Sequence, residues 1–173
     1  DNLAEENEIK INNGTQYTFT ENGTFKFTLE DTVGNKTTII ASVDWIDKIW
    51  PEITSIAGNQ IPQKEHNTVI NASDNVGIES LSYLWTNSDI DPSADNLNWI
   101  NVENGSEITQ SDVDGEWYLH AKAVDKVGNI TIITSGRFIY DNIPTSGNIN
   151  IIESYVNNNS VTLNLSSEDT YSN

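Results

Sequence analysis

Asp31-Thr32-Val33-Gly34-Asn35 returns 94 residues later as Asp125-Lys126-Val127-Gly128-Asn129. The match runs past the turn itself. Gly34 and Gly128 are each followed, 13 residues on, by an aspartate (Asp47, Asp141), with a proline just beyond (Pro51, Pro144). Asn71-Ala72-Ser73 lies 20 residues past Pro51, and Asn164-Leu165-Ser166 lies 20 past Pro144. A fixed period this long, carrying its own linker, marks tandem copies of one small domain. Counted from proline to proline, residues 51–143 form a complete copy. Residues 1–50 then match the C-terminal part of a first copy, and 144–173 the N-terminal part of a third. The chain reads as a window on a longer array.

The sequence on either side of each turn alternates with a period of two. Phe25, Phe27 and Leu29 are interleaved with Lys26, Thr28 and Glu30; Leu119, Ala121 and Ala123 are interleaved with His120, Lys122 and Val124. Period two places one set on a buried face and the other on the opposite face of a strand. The second strands of these hairpins are expected over 36–46 and 130–140, with glycine where the turn needs positive φ. Further strands are expected at 52–57, 67–73, 80–86 and 97–109, with 87–97 as a loop by its Asn, Ser, Asp and Pro content. No segment holds a helical period for three turns. The expected fold is all-β, a two-sheet antiparallel sandwich of six or seven strands, with Trp85 filling the core and His120 facing outward.

Composition narrows the classes of partner. Eight Lys and Arg stand against 26 Asp and Glu, a formal net charge of −18. That field repels nucleic acid and anionic lipid, which excludes both as partners. No apolar run is long enough to span a bilayer, so no membrane insertion is expected in this segment. Cysteine is absent, so no disulfide braces the fold. The many carboxylates serve solubility and also offer hard oxygen donors to Ca²⁺.

Tyr83-Leu84-Trp85-Thr86-Asn87-Ser88, Trp99, Asn104-Gly105 and the run Trp117-Tyr118-Leu119-His120-Ala121-Lys122-Ala123-Val124-Asp125-Lys126-Val127-Gly128-Asn129 resemble the bacterial immunoglobulin-like repeats of large surface and secreted proteins, common in Gram-positive bacteria. Gly23-Thr24-Phe25-Lys26-Phe27-Thr28-Leu29-Glu30 leading into the first turn fits the same pattern. The resemblance implies tandem immunoglobulin-like sandwiches and an extracellular, cell-surface or secreted location. It implies little about function, because such repeats serve as stalks, spacers, adhesins and accessory modules of secreted enzymes.

No catalytic constellation is present: two histidines, no cysteine, no nucleophile elbow, no phosphate loop. The chain is read as not an enzyme, and no cofactor is required. Asp89/Asp91 and Asp112/Asp114 sit in turn-rich polar stretches and read as loop solubilisers. The best site hypothesis is Ca²⁺ at a junction between domains, where sandwich loops and linker meet. One junction would gather Asp47, Asp74, Asn75 and Asp125. The next would gather Asp141, Glu168 and Asp169. Against this, the aspartate of the repeated turn already has a structural job there. The second candidate is a ligand-binding face with Trp99, Trp117 and Tyr118, since aromatic rings stack on sugars or anchor proteins.

The reading is a non-catalytic extracellular stalk or spacer of a repetitive bacterial surface protein, part of an adhesin. The alternatives are direct ligand or carbohydrate binding, or an accessory module of a secreted glycan-active enzyme. Partners are neighbouring immunoglobulin-like repeats of the same chain and a host or cell-surface glycan or protein. Head-to-tail completion of the two part-copies, a route to fibres, would leave a join short of roughly a dozen residues, about one strand.

Overall fold

The computed structural model describes residues 10–11, 16–54, 56–151, 155, 157 and 160–171. The chain divides into two units, Asp1–Lys48 and Ile49–Asn173. In the first, β1 (Lys10–Ile11), β2 (Gly23–Glu30) and β3 (Lys36–Val43) form an antiparallel sheet in that order. The β2–β3 hairpin pairs from Gly23↔Val43 to Glu30↔Lys36. Period-two alternation puts Phe25 and Phe27 on one face, where their rings meet edge to face at 4.8 Å and Tyr17 stacks on Phe25 at 3.7 Å. Asn22 fastens the exit of the sheet, its side chain bonding both N–H and C=O of Ile46.

The second unit carries β4 (Glu52–Ile53), β5 (Asn59–Gln63), β6 (Glu65–Val69), β7 (Ala72–Ser73), β8 (Ile78–Thr86), β9 (Ile100–Val102), β10 (Glu107–Ser111), β11 (Gly115–Asp125), β12 (Ile130–Thr134), β13 (Phe138–Tyr140), β14 (Ser146–Ile151) and β15 (Leu163–Glu168). One layer is built from the pairs β6–β10 and β4–β7. The other is a larger sheet in the order β5-β13-β11-β8-β9, with β12 also paired to β11. The antiparallel two-sheet sandwich expected from the alternation is the fold found. β14 and β15 form a separate antiparallel hairpin.

Leu119, Ala121 and Ala123 of β11 are fully buried between the layers, against Ile53, Ile70, Ala72 and Ile108 from the facing one. Trp85 fills this core as expected, edge to face on Phe138 at 5.0 Å. The small alanines of β11 leave room for such large rings from neighbouring strands.

Several strand expectations need correction. The 52–57 strand ends at Ile53, and 97–109 is cut in two by a turn at Gly105, where Ser106 N–H bonds Glu103 O. The 67–73 strand starts earlier, at Glu65, and breaks at Ile70–Asn71. The 36–46 strand closes at Val43. The 130–140 strand breaks at Ser135–Arg137, because Gly136 presses its backbone onto the 56–58 segment. A Cβ on Gly136 would sit 2.0 Å from Ala57 O, a distance no side chain can hold. This contact aligns β5 with β13 in parallel, a strand the sequence reading did not foresee. Pro62 is tolerated there because β5 is an edge.

The largest correction concerns His120. Its place in the alternation does point it away from the core, but it is fully buried. The 87–99 loop folds back over that face of the sheet and covers it. Lys122 Nζ donates to Ala94 O at 2.9 Å, and Thr134 Oγ1 donates to Asp91 Oδ1. His120 lies between Thr86 Oγ1 and Thr134 Oγ1, at 2.8 and 2.6 Å. Alternation reports which face a residue takes. It does not report what later covers that face.

Candidate cation site

The repeated motif closes the β11–β12 hairpin around a single carboxylate. Asp125 Oδ1 accepts the backbone N–H groups of Val127, Gly128 and Asn129 at 2.9, 2.6 and 2.8 Å. Its Oδ2 accepts Asn129 Nδ2–H at 2.7 Å. Gly128 takes φ +98°, a left-handed conformation that a Cβ would strain. Burial pushes the Asp125 carboxyl up, but the Asn129 amide and these backbone donors outweigh it and hold its pKa below the ordinary value. Asp125 is 1% exposed.

A second turn lies against this one. Asp74–Gly77 closes through Gly77 N–H to Asp74 O, and Asp74 Oδ1 caps Val76 N–H at 2.8 Å. Lys126 N–H then bonds Gly77 O at 3.1 Å, which locks the two turns together. The β8–β11 register shifts between Val124 and Asp125, so Asp125 pairs with Ile78 across an irregularity that re-aims its side chain. Asp74 and Asp125 thereby bring carboxylate oxygens within 4.8 Å of each other. Asp74 Oδ2 is buried and has no hydrogen-bond partner. Lys126 passes over Gly77, yet among the described residues no ion pair joins it to either aspartate.

The motif also holds the start of the unit. Asn129 Nδ2, already on Asp125, donates to Ile49 O at 3.0 Å. This anchoring role escaped the sequence reading. The only signal for it was that Asn35 and Asn129 both close the repeated motif.

A family model for the bacterial Ig-like domain matches residues 50–142, more than half of the chain. The chain belongs to the bacterial immunoglobulin-like domain family. No curated protein matches it.

Within this bacterial immunoglobulin-like domain the remaining sequence candidates are dispersed. Asn75 is exposed on the Asp74 turn. Asp141 Oδ1 accepts Ile143 N–H, and Asp169 holds Thr145 Oγ1 and Tyr171 N–H; among the described residues neither joins a group of three metal-ligating side chains. Asp47 belongs to the first unit, two residues ahead of Ile49. The aromatic candidates do not share a face. Trp117 and Tyr118 are consecutive on β11 and point to opposite sides. Trp117 packs against the core and donates its Nε1–H to Asp114 O. Trp99 is half-buried, donates to Ser93 O, and carries Lys122 Nζ 4.9 Å above its ring. That cation–π contact and the Ala94 hydrogen bond together fasten the 87–99 loop.

Proposed function

We propose that this chain is a stalk or spacer segment of a repetitive bacterial surface protein, extracellular and non-catalytic. The observation that carries the reading is the pair of hairpins. The turn at Asp31 and the turn at Asp125 share the backbone and asparagine side-chain bonds to the aspartate and a positive-φ glycine, 94 residues apart. A domain reused along a chain, with only a short linker between copies, extends reach instead of adding chemistry. Family membership supports this, since such domains are typically non-catalytic and occur in surface or extracellular proteins. The occupation of Trp99 and Trp117 by intradomain contacts supports it too, because a sugar platform needs an open ring face. The net charge of −18 keeps neighbouring stalks apart.

The test is a glycan and glycoprotein array probed with the full chain. The spacer reading expects no saturable binding. Binding that disappears in Trp99→Ala, with the melting temperature unchanged, would overturn it in favour of recognition. In the complete gene, further repeats and a cell-wall sorting signal are expected; an adjoining hydrolase domain would instead make the chain an accessory module.

A further inference from the structure

We propose that Asn104–Gly105 is a modification site gated by the fold. It is closed to deamidation while it pairs with residues 70–72, opens when that seam parts, and cannot re-form the seam once modified. The proposal stands apart from the spacer reading, and neither depends on the other.

The seam lies in the layer that carries β6 and β7. β6 pairs with β10 as far as Val69↔Glu107, β7 pairs with β4 from Ala72, and Ile70–Asn71 falls between the two ladders. Asn104 and Gly105 fill that gap. The Asn104 side-chain amide brackets a single residue, its Oδ1 accepting Ala72 N–H at 2.9 Å and its Nδ2 donating to Ala72 O at 2.8 Å. Gly105 N–H donates to Ile70 O at 3.0 Å. A side chain here takes the place of a strand's backbone.

This geometry demands both residue types. Gly105 has φ +83°, where a Cβ is strained, and a Cβ would also lie 3.3 Å from Asn71 Oδ1. Bracketing Ala72 takes an acceptor and an N–H donor on one short side chain, and an aspartate offers only acceptors at neutral pH. The result is an exposed Asn-Gly step. Such a step cyclises readily, because glycine puts no side chain in the way of its own nitrogen. Asn22, also followed by glycine, brackets Ile46 N–H and C=O in the same way, so the arrangement recurs in the first unit.

The reaction needs only base and water. The Gly105 nitrogen loses its proton and attacks Asn104 Cγ; the N–Cγ bond forms as Cγ–Nδ2 breaks and ammonia leaves. Water then opens the succinimide at either carbonyl, giving aspartate or isoaspartate. In the paired seam both reactants are engaged. The proton that must be lost is donated to Ile70 O, and the amide is pinned at both ends to Ala72. Cyclisation therefore waits for a local opening. The product does not fit back. One carboxylate oxygen can still accept Ala72 N–H, but the other faces Ala72 O with no proton between them. Isoaspartate also adds a carbon to the main chain and carries Gly105 N–H away from Ile70 O.

The experiment holds the full chain at mildly alkaline pH, folded and in denaturant, while peptide mass spectrometry follows Asn104. The folded chain should convert at least about tenfold more slowly. In sub-denaturing steps its rate should rise together with hydrogen exchange at Gly105 N–H, which reports the seam. Equal rates in the folded and unfolded chain would overturn the gate, and so would a folded rate that ignores seam opening. The misfit of the product is read on Asn104→Asp, whose melting temperature should fall by about 4 °C or more. Relative to the unaltered chain, that loss should shrink as pH falls through the carboxylate range, because a protonated carboxyl can donate to Ala72 O again. Asn101→Asp adds the same charge at an exposed position of β9 and should shift the melting temperature by no more than about 2 °C. An unchanged melting temperature for Asn104→Asp, or an equal loss at both positions, would overturn the claim that the seam cannot re-form.

Discussion

The turns at Asp31 and Asp125 have the same sequence signature and nearly the same local geometry, yet they sit in different surroundings. In both, Oδ1 accepts from the residues two and four further on, Oδ2 accepts the asparagine amide at 2.7 Å, and the glycine takes φ near +90°. In both, the carboxyl is held below its ordinary pKa. At Asp31 the asparagine donors lead; at Asp125 they must first overcome burial. The difference is what lies alongside. Asp125 has the Asp74–Gly77 turn bonded to its neighbour Lys126, and it is shut off from water. Asp31 is half-buried, with Glu30–Lys36 as the nearest ion pair at 3.8 Å. Local sequence makes the turn. Tertiary neighbours decide whether the turn can also be a site.

The largest expected effect breaks this symmetry. Asp125→Ala orphans four N–H donors in a buried place, and should lower the melting temperature of its unit by about 10 °C or more. Asp31→Ala exposes the equivalent donors to water and should cost no more than about 4 °C. Amide hydrogen exchange on the full chain assigns each loss to its unit. Equal losses would mean that burial adds nothing to the turn.

A smaller effect should restore the symmetry. Gly128→Ala places a Cβ in open space and Gly34→Ala places one in ordinary contact with Glu30 Oε1 at 4.0 Å, both at positive φ, +98° and +90°. Each should cost about 1 kcal/mol, and by similar amounts, because the strain is in the backbone and not in the surroundings. A cost at Gly128 several times that at Gly34 would show that the adjoining Asp74 turn constrains the backbone as well.

The same distinction explains what the sequence made legible. Alternation around Leu119, Ala121 and Ala123 gave the core strand, because a period of two survives any choice of partner. Asp74 and Asp125 could be placed at one end of the sandwich from loop order alone. What could not be read was every feature set by a distant approach. The pressing of Gly136 onto Ala57 splits one strand and creates the parallel β5–β13 pair. The return of the 87–99 loop over β11 buries His120 and occupies Trp99. Neither leaves a periodic trace, and a lone glycine or a Lys–Trp pair has too many other uses to announce one.

The smallest effect separates the two units by acid. Both histidines, His66 and His120, lie in the second unit, and the first has none. His120 has its pKa lowered: burial disfavours the charged ring, and the Ser88 carbonyl and the Asp91 charge only partly offset this. The two threonines beside it can serve the neutral ring. Thr134 spends its hydroxyl proton on Asp91, so it must accept from Nδ1–H of His120. Thr86 can then donate to Nε2 of the uncharged ring, at the expense of its bond to Ser88 O. Protonation reverses that last bond and places a charge under the 87–99 loop. The unfolded chain therefore binds the proton more readily, so His120's contribution to stability is fully present above about pH 6.5 and is lost as pH falls below it. Asp31 and Asp125 act later, because their depressed pKa values keep their contributions until the pH falls through them. A residue-resolved hydrogen-exchange series from pH 7.5 to 5 should show protection falling in the second unit while the first stays level, and His120→Gln should flatten the second. Parallel loss in both units would mean that the acid response comes from the shared carboxylates, and that His120 is a bystander beneath its loop.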